Sequence, residues 1–536
     1  MQIRGRMKTR FLCLFILLGA VSQLFAEFFW MPAIFSHGMV LQRGQPVNIW
    51  GVSDPNAKID IYFNWKTTST TAGKHGEWSA ELPPMPANSE GMAMTIFVNK
   101  KPFRVIGEVL VGEVWILGGQ SNMELQLQYM MSRKNMDHSI AHINAAKRAV
   151  ANAQNLPIRV FYQPILGDRV LRRDNPPHSF WITKITDKQA GRVSALGYFF
   201  AEALHRKTNV PVGIVQTQVN GAKMVAFIPE AAVALDGDYA AYHAKFKKLA
   251  DGDTREKSLE RWRKANADFD AEQARLKAAG KPVRPKSVLM RDEPQNGVPY
   301  PYNFRNTPAF LYNKMVAPLL RYTAKGVLWY QGESDAGKDE AAHFQRKFEV
   351  LIEKWREAAG KPELPFYCVQ LASFGSVSDF AGARWAQYRA ARGTPHCGIV
   401  NIIDTGLEKD VHPLDKDIVG ARMANLAMQD VYGFKDCFGC APEMKRVSYL
   451  GKAASVAIED FGRGIELSGN LRGFEALING AWVAAPAEYK DGVIIVRSPN
   501  GGDIAGVRYL HKNWARPYVC IFNKDGLPMF PFDSLK

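Results

Sequence analysis

At 536 residues, 47% of them hydrophobic, the chain is too long for a single hydrophobic core and too apolar to be disordered; about three domains are expected. Its formal charge of +16 would draw in an acidic substrate, but equally any other polyanion. No nucleic-acid motif accompanies that charge, so a nucleic-acid partner is not expected.

The first 26 residues read as a signal peptide. Arg4, Arg6, Lys8 and Arg10 precede the apolar run from Phe11 to Ala20, followed by VSQLFA, with cleavage expected after Ala26. Cys13 lies inside the run rather than at its end, which argues against a lipoprotein anchor. The run is too short to span a bilayer comfortably, and no later stretch approaches about 20 uninterrupted apolar residues. The expectation is a secreted or periplasmic protein with no stable membrane insertion, its charge reduced to +12 by loss of those four basic residues.

Residues 27–108 read as short strands broken by turn residues, VNIWGVSDPNAKIDIYFNW, then TTAGKHGEWSAELPP, then MAMTIFVNK, which suggests an amino-terminal β-sandwich. Trp50, Tyr62, Phe63, Trp78 and Phe97 are expected in its core rather than as a sugar platform. At Val109 the texture changes. VLVGEVWILG is a nearly continuous apolar run suited to a strand buried on both faces, and PVGIVQTQV, KGVLWYQG, LPFYCVQLA and CGIVNIID repeat it. Helical patterns alternate with these runs, among them SALGYFFAEALHRKTN and AAHFQRKFEVLIEKWREAAG, so residues 109–435 predict an α/β domain on a parallel sheet. Residues 229–290, with SLERWRKANADFDAEQARLKAAG, read as a helical insertion whose charges form a solvated face. From 436 to 536 the pattern returns to β, giving a carboxy-terminal β-domain. Cys437 and Cys440 form a CxxC with no second CxxC or paired His nearby, better suited to a local disulfide or two packed thiols than to zinc; no metal is expected.

Three stretches carry chemistry. The strand ending at Leu117 runs through Gly118, Gly119 and Gln120 into Ser121 at a helix start, where ligands of parallel sheets collect and backbone N–H groups can stabilise an oxyanion. Ser121 is the candidate nucleophile, although a serine there could equally cap the helix; no G-x-S-x-G elbow surrounds it. His412, in NIIDTGLEKDVHPLDKDIVG, is the candidate base, with Asp410 two residues before it to orient the imidazole and Asp404 as the alternative. WYQGES, Trp329 to Ser334, ends another apolar strand: Gln331 could offer an amide to an oxyanion, and Glu333 could serve as a glycosidase acid if a second carboxylate faced it.

Together GEVWILGGQSNMELQL, VLWYQGESDAG and DVHP resemble the nucleophile, third and histidine blocks of the sialate O-acetylesterases, a branch of the SGNH hydrolases. MVLQRGQPVNIWG, LYNKMVAPLLR, GVRYLHKNW and NKDGLPMFPF extend the resemblance over most of the chain. The resemblance implies a flavodoxin-like SGNH-hydrolase three-layer domain with a parallel sheet, flanked by amino- and carboxy-terminal β-domains. It also implies acetyl-ester hydrolysis with no cofactor, Ser121 as nucleophile, His412 as base and Asp410 as its acid partner. Where the family has Ser-x-Gly-Gly-Thr, this chain reads Gln218-Val219-Asn220-Gly221-Ala222; Gly221 can still give an oxyanion N–H, while Asn220 narrows or re-tunes the acyl pocket. Asn122, Glu333 and Arg384 are assigned to substrate binding, Arg384 and Arg305 being candidates for a sialic acid carboxylate. The expected partner is an O-acetylated glycan, 9-O-acetylated sialic acid first and acetylated xylan second. The alternative of another class is a non-catalytic carbohydrate-binding protein. The oligomeric state is left open.

Overall fold

The computed structural model describes residues 28–133, 140–286, 288–291, 293–295 and 297–535; the expected signal peptide lies outside the described residues. Seven strands make the main path of the central sheet: β1 (Lys101–Gly119), β2 (Ile158–Tyr162), β3 (Phe180–Ile182), β4 (Val212–Gln216), β5 (Gly326–Tyr330), β6 (Phe366–Val369) and β7 (Cys397–Val400). They lie in the order β3-β2-β4-β1-β5-β6-β7 and are parallel except for the antiparallel edge strand β3. The chain is thus mixed α/β, with the apolar runs read from the sequence at its centre.

Helices α1 (Ala195–Thr208), α2 (Phe344–Ala359), α3 (Phe380–Gly393) and α4 (Lys416–Asp430) cover this sheet. The pleat sends alternate side chains to opposite faces. Ile116, Val327 and Trp329 therefore share a core with Phe348, Leu351 and Trp355 of α2. Trp115, Leu117, Leu328 and Tyr330 share another with Phe200 of α1 and Met423 of α4. Local signals fix the helix ends: Ser194 Oγ accepts the Gly197 N–H at 3.1 Å to start α1, and Asn209 stops it in the left-handed region at φ 54°.

Strand β1 is longer than the apolar run that revealed it. Its first half pairs antiparallel with Asn88–Val98, which pairs in turn with Lys58–Phe63, while Val40–Gln42 lies parallel to Leu110–Gly112. The change of texture at Val109 marks where the strand's second face becomes covered: every residue from Val109 to Gly119 is buried, whereas Lys101–Phe103 and Val105 are exposed. A separate three-stranded sheet joins Phe29–Trp30, Val47–Ser53 and Glu77–Leu82. Trp50, Phe63 and Trp78 are buried as expected, but Tyr62 is not, being 38% exposed, and Phe97 is only half-buried. The period of two decides this, since Ile61 and Phe63 point inward and the residue between them must point out.

The charged stretch after residue 229 contains the long helix Arg255–Ala278, which buries only Ser258 and Phe269. Past residue 442, two four-stranded antiparallel sheets enclose Val456, Phe474, Ile494, Val496, Val507 and Tyr509, and Trp385 of α3 reaches into that core. Cys437 and Cys440 are free thiols rather than a disulfide, as are Cys368, Cys397 and Cys520. Among the described residues no group of three or more His, Cys, Asp or Glu is placed to hold a metal, and no helix is long and apolar enough to cross a membrane.

Candidate active site

The carboxyl ends of β1, β4 and β5 and the loop after β7 meet at one place. Gly119 closes β1 at φ 130°, and a Cβ there would stand 2.1 Å from the Tyr330 carbonyl oxygen, so only glycine lets β1 and β5 approach this closely. The Gln120 N–H then donates to the Tyr330 carbonyl at 2.9 Å, and its side-chain oxygen accepts the Ser334 N–H at 3.1 Å. Ser121 opens the four-residue helix Ser121–Glu124. Its Oγ lies 2.8 Å from Nε2 of His412, although 291 positions separate the two residues. The serine is 9% exposed and the histidine side chain 32%, so the pair is reachable from solvent.

The imidazole is held as a neutral base. Burial, helped by the charges of Lys416 and Arg133, lowers the His412 pKa below the ordinary histidine value, and Asp410 opposes this. Asp410 does not hydrogen-bond the ring: its Oδ1 is 3.8 Å from Nδ1 and instead accepts the His412 backbone N–H at 2.9 Å. Its Oδ2 is engaged by Arg133 Nη2 at 2.7 Å, and the Arg133 guanidinium lies over Tyr129, 4.8 Å from the ring centroid. Asp410 therefore acts on His412 through its field and by fixing the backbone. Asp404 cannot replace it, because both its oxygens take Arg422 at 2.7 Å.

Asn122 was expected to bind substrate; it is buried and ties the site together instead. Its Nδ2 donates to Glu333 Oε1 at 2.5 Å and to the Val411 carbonyl at 2.9 Å, while its Oδ1 accepts Lys416 Nζ at 2.8 Å. One carboxamide thereby pins the loop after β5 and the loop bearing His412 to the turn bearing Ser121. Lys416 also donates to the Pro413 carbonyl at 2.7 Å, and burial lowers its pKa to about 8. Glu333, assigned to substrate binding, thus has one oxygen committed to Asn122, and burial raises its pKa. Lys416 was missed in the sequence, although its place four residues after His412 was a usable signal; Arg133 and Gln120 gave none.

Two further assignments are corrected. Gln331 is fully buried, and its amide hydrogens go to Asp335 Oδ2 at 2.5 Å and the Ala222 carbonyl at 3.3 Å. Both neighbours are acceptors, so flipping the amide would not free a donor, and the residue has none left for an oxyanion. Arg384 is likewise fully buried: its guanidinium donates to the Ala372 carbonyl at 3.2 Å and to the carbonyls of Lys512 and Asn513, joining α3 to the carboxy-terminal sheets. It is an internal clasp, not a reader of ligands. Arg384→Met should lower thermal stability by on the order of 3 kcal/mol by leaving these acceptors unpaired, with KM unchanged in the folded enzyme; a raised KM at unchanged stability would restore the substrate role.

Gly221 stands on the facing loop at φ 68°. The N–H of its neighbour Asn220 is taken by the Glu124 carboxylate, whose pKa is raised by burial, and the Asn220 carbonyl accepts Arg305 Nε at 2.8 Å. The site therefore combines a hydroxyl, a neutral imidazole and backbone N–H groups, a set suited to acyl transfer.

A family profile described as carbohydrate esterase, sialic acid-specific acetylesterase, matches residues 301–429. The sialate O-acetylesterase of Rattus norvegicus is 24% identical over 82% of this chain and 80% of its own length; that of Homo sapiens is 24% identical over 79% and 75%. Among solved structures, a carbohydrate acetylesterase from Xanthomonas citri matches with a TM-score of 0.75 and 28% identity, over 94% of this chain and 99% of that one. These likenesses cover most of the chain, which is similar to the sialate O-acetylesterases and is a carboxylic ester hydrolase.

Proposed function

We propose that this enzyme removes O-acetyl groups from carbohydrate by way of an acetyl-serine, and that its substrate is 9-O-acetylated sialic acid. The observation that carries the mechanism is the 2.8 Å contact between Ser121 Oγ and His412 Nε2 at a solvent-reachable surface. His412 takes the Ser121 proton as Oγ attacks the acetyl carbonyl, and the N–H groups of Ser121 and Gly221 receive the oxyanion. Collapse expels the sugar oxygen, which takes the proton back from His412. Water, deprotonated by the same imidazole, then attacks the acetyl-serine and releases acetate, restoring the hydroxyl. Asp410 and its partner Arg133 hold the histidine loop throughout.

The choice of glycan is supported by the relatives, which are named for sialate, and by the basic charge of the chain, which favours a substrate bearing a carboxylate. The signal-like first 26 residues support action outside the cytoplasm. The parallel order of β4-β1-β5-β6-β7, with Ser121 after β1, supports a flavodoxin-like SGNH-hydrolase domain bounded near residues 109 and 435, with β-domains on either side.

Acetate release from 9-O-acetylated sialic acid, measured beside acetylated xylan, tests the proposal. The expected result is a kcat/KM at least about tenfold higher on the sialic acid, the discrimination available from one well-placed polar contact. Preference for xylan would replace the substrate. No release from either, with glycan still bound, would replace catalysis by carbohydrate binding.

A further inference from the structure

The loop after β4 presents four successive backbone N–H groups beside the site, and three have acceptors. That of Val219 donates to the Gly119 carbonyl at 3.0 Å, that of Asn220 to the Glu124 carboxylate, and that of Ala222 to the Val219 carbonyl at 3.2 Å. Among the described residues no acceptor takes the fourth, from Gly221. This N–H belongs to the same peptide group as the Asn220 carbonyl, which Arg305 Nε holds at 2.8 Å. In a trans peptide the two bonds point in opposite directions across one rigid plane, so whatever fixes the carbonyl aims the N–H.

We propose that Arg305 is a positioning residue for the acetyl-transfer step: by gripping the Asn220 carbonyl it turns the Gly221 N–H toward the ester oxygen and strengthens it as a donor. The inference rests on the serine-esterase reading given above. Strengthening follows because a charged donor on a carbonyl polarises the whole amide. Aim follows from how firmly Arg305 is itself set. Its backbone N–H donates to Asn303 Oδ1 at 2.9 Å, its carbonyl accepts the Lys223 N–H at 2.8 Å, and its guanidinium lies 4.1 Å from the centre of the Phe304 ring. The fit to the loop is close: a Cβ on Gly221 would be 3.3 Å from Arg305 Cδ, at a φ of 68° that already disfavours any side chain. Glu124 completes the grip by holding the N–H on the other side of Asn220. With Asn220 in the place of the family's first glycine, the loop is more dependent on this external hold.

A competing use of Arg305 is to bind the carboxylate of a sialic acid, and kinetics on two substrates separates the two. Arg305→Met and Arg305→Lys, the latter keeping charge and stem but lacking a planar Nε–H, are assayed with p-nitrophenyl acetate, which has neither sugar nor carboxylate, and with 9-O-acetylated sialic acid. The expected result is a fall in kcat of roughly tenfold to a hundredfold on both substrates for Arg305→Met, short of the loss of a whole oxyanion donor, with KM little changed and Arg305→Lys intermediate. Unaltered kcat on p-nitrophenyl acetate, with KM raised only for the sialic acid, would overturn the proposal in favour of carboxylate binding. Ser121→Ala in the same assay keeps the two readings apart: if it is inactive while Arg305→Met is not impaired, only the role of Arg305 falls, and if it is fully active the esterase mechanism falls first.

Discussion

Ser121→Ala should lower kcat on p-nitrophenyl acetate by at least about a thousandfold while leaving the thermal midpoint within a degree or two of the parent. The first half of that expectation comes from chemistry: without Oγ no acetyl-enzyme forms, and direct attack by water is left to whatever help His412 and the polarising N–H groups give. The second half comes from packing: among the described residues the hydroxyl bonds only His412, and its removal takes a single atom from a residue that is 9% exposed. His412→Ala should lose as much, and the double variant should be no worse than either single one, because the two side chains act as one device. Steady-state rates of the three variants decide it. A Ser121→Ala enzyme at the parent rate, or losses that multiply, would refute the pair.

Lys416→Met should both slow the enzyme, by roughly tenfold or more, and shift the acid limb of its pH profile upward. The slowing follows from geometry. Lys416 Nζ ties the Pro413 carbonyl to Asn122 Oδ1, and its loss leaves a buried carboxamide oxygen unpaired and releases the loop that sets His412 against Ser121. The sign of the shift follows from charge. A general base works only when neutral, so activity falls as pH drops through the His412 pKa, which burial and the positive charges of Lys416 and Arg133 hold below the usual histidine range. Around the lysine, Asp415, Glu333, Asp410 and Asp417 act in the opposite sense on its own proton. Removing the ammonium takes away one proton-repelling charge, and His412 should titrate higher. An NMR titration of the His412 ring beside the kcat/KM profile checks this. Reduced rates with an unmoved limb would leave Lys416 a brace and nothing more.

The parts of this molecule legible in its sequence are those where one physical demand dominates. A parallel strand covered on both faces must be apolar throughout, which is why β1 and β4 to β7 announced themselves. β2 did not, because IRVFY is interrupted by Arg159, whose guanidinium turns away to the Gly38 carbonyl at 3.0 Å; β3 is only three residues long. The convergence of Ser121 and His412 was readable because each follows a strand end, and strand ends of one sheet share an edge. Gln331, Asn122 and Arg384 were misassigned for a common reason. Residue type says what a polar side chain can offer, but only the folded neighbours say whether the offer is already taken. Asp410 shows the same limit in finer form: spacing placed it beside the histidine and could not tell a ring hydrogen bond from a backbone one.

Strand β1 begins among the amino-terminal strands and ends two residues before the candidate nucleophile. A single extended backbone, laced on both edges, leaves no seam along which the amino-terminal sheet could be unbuckled from the catalytic layer. Stripping Asn88–Val98 and Val40–Gln42 away would bare Lys101–Gly112, the stretch of the same strand that runs straight into the rungs before the Ser121 turn, so the leading sheet is a foundation of the active site and not an ornament beside it.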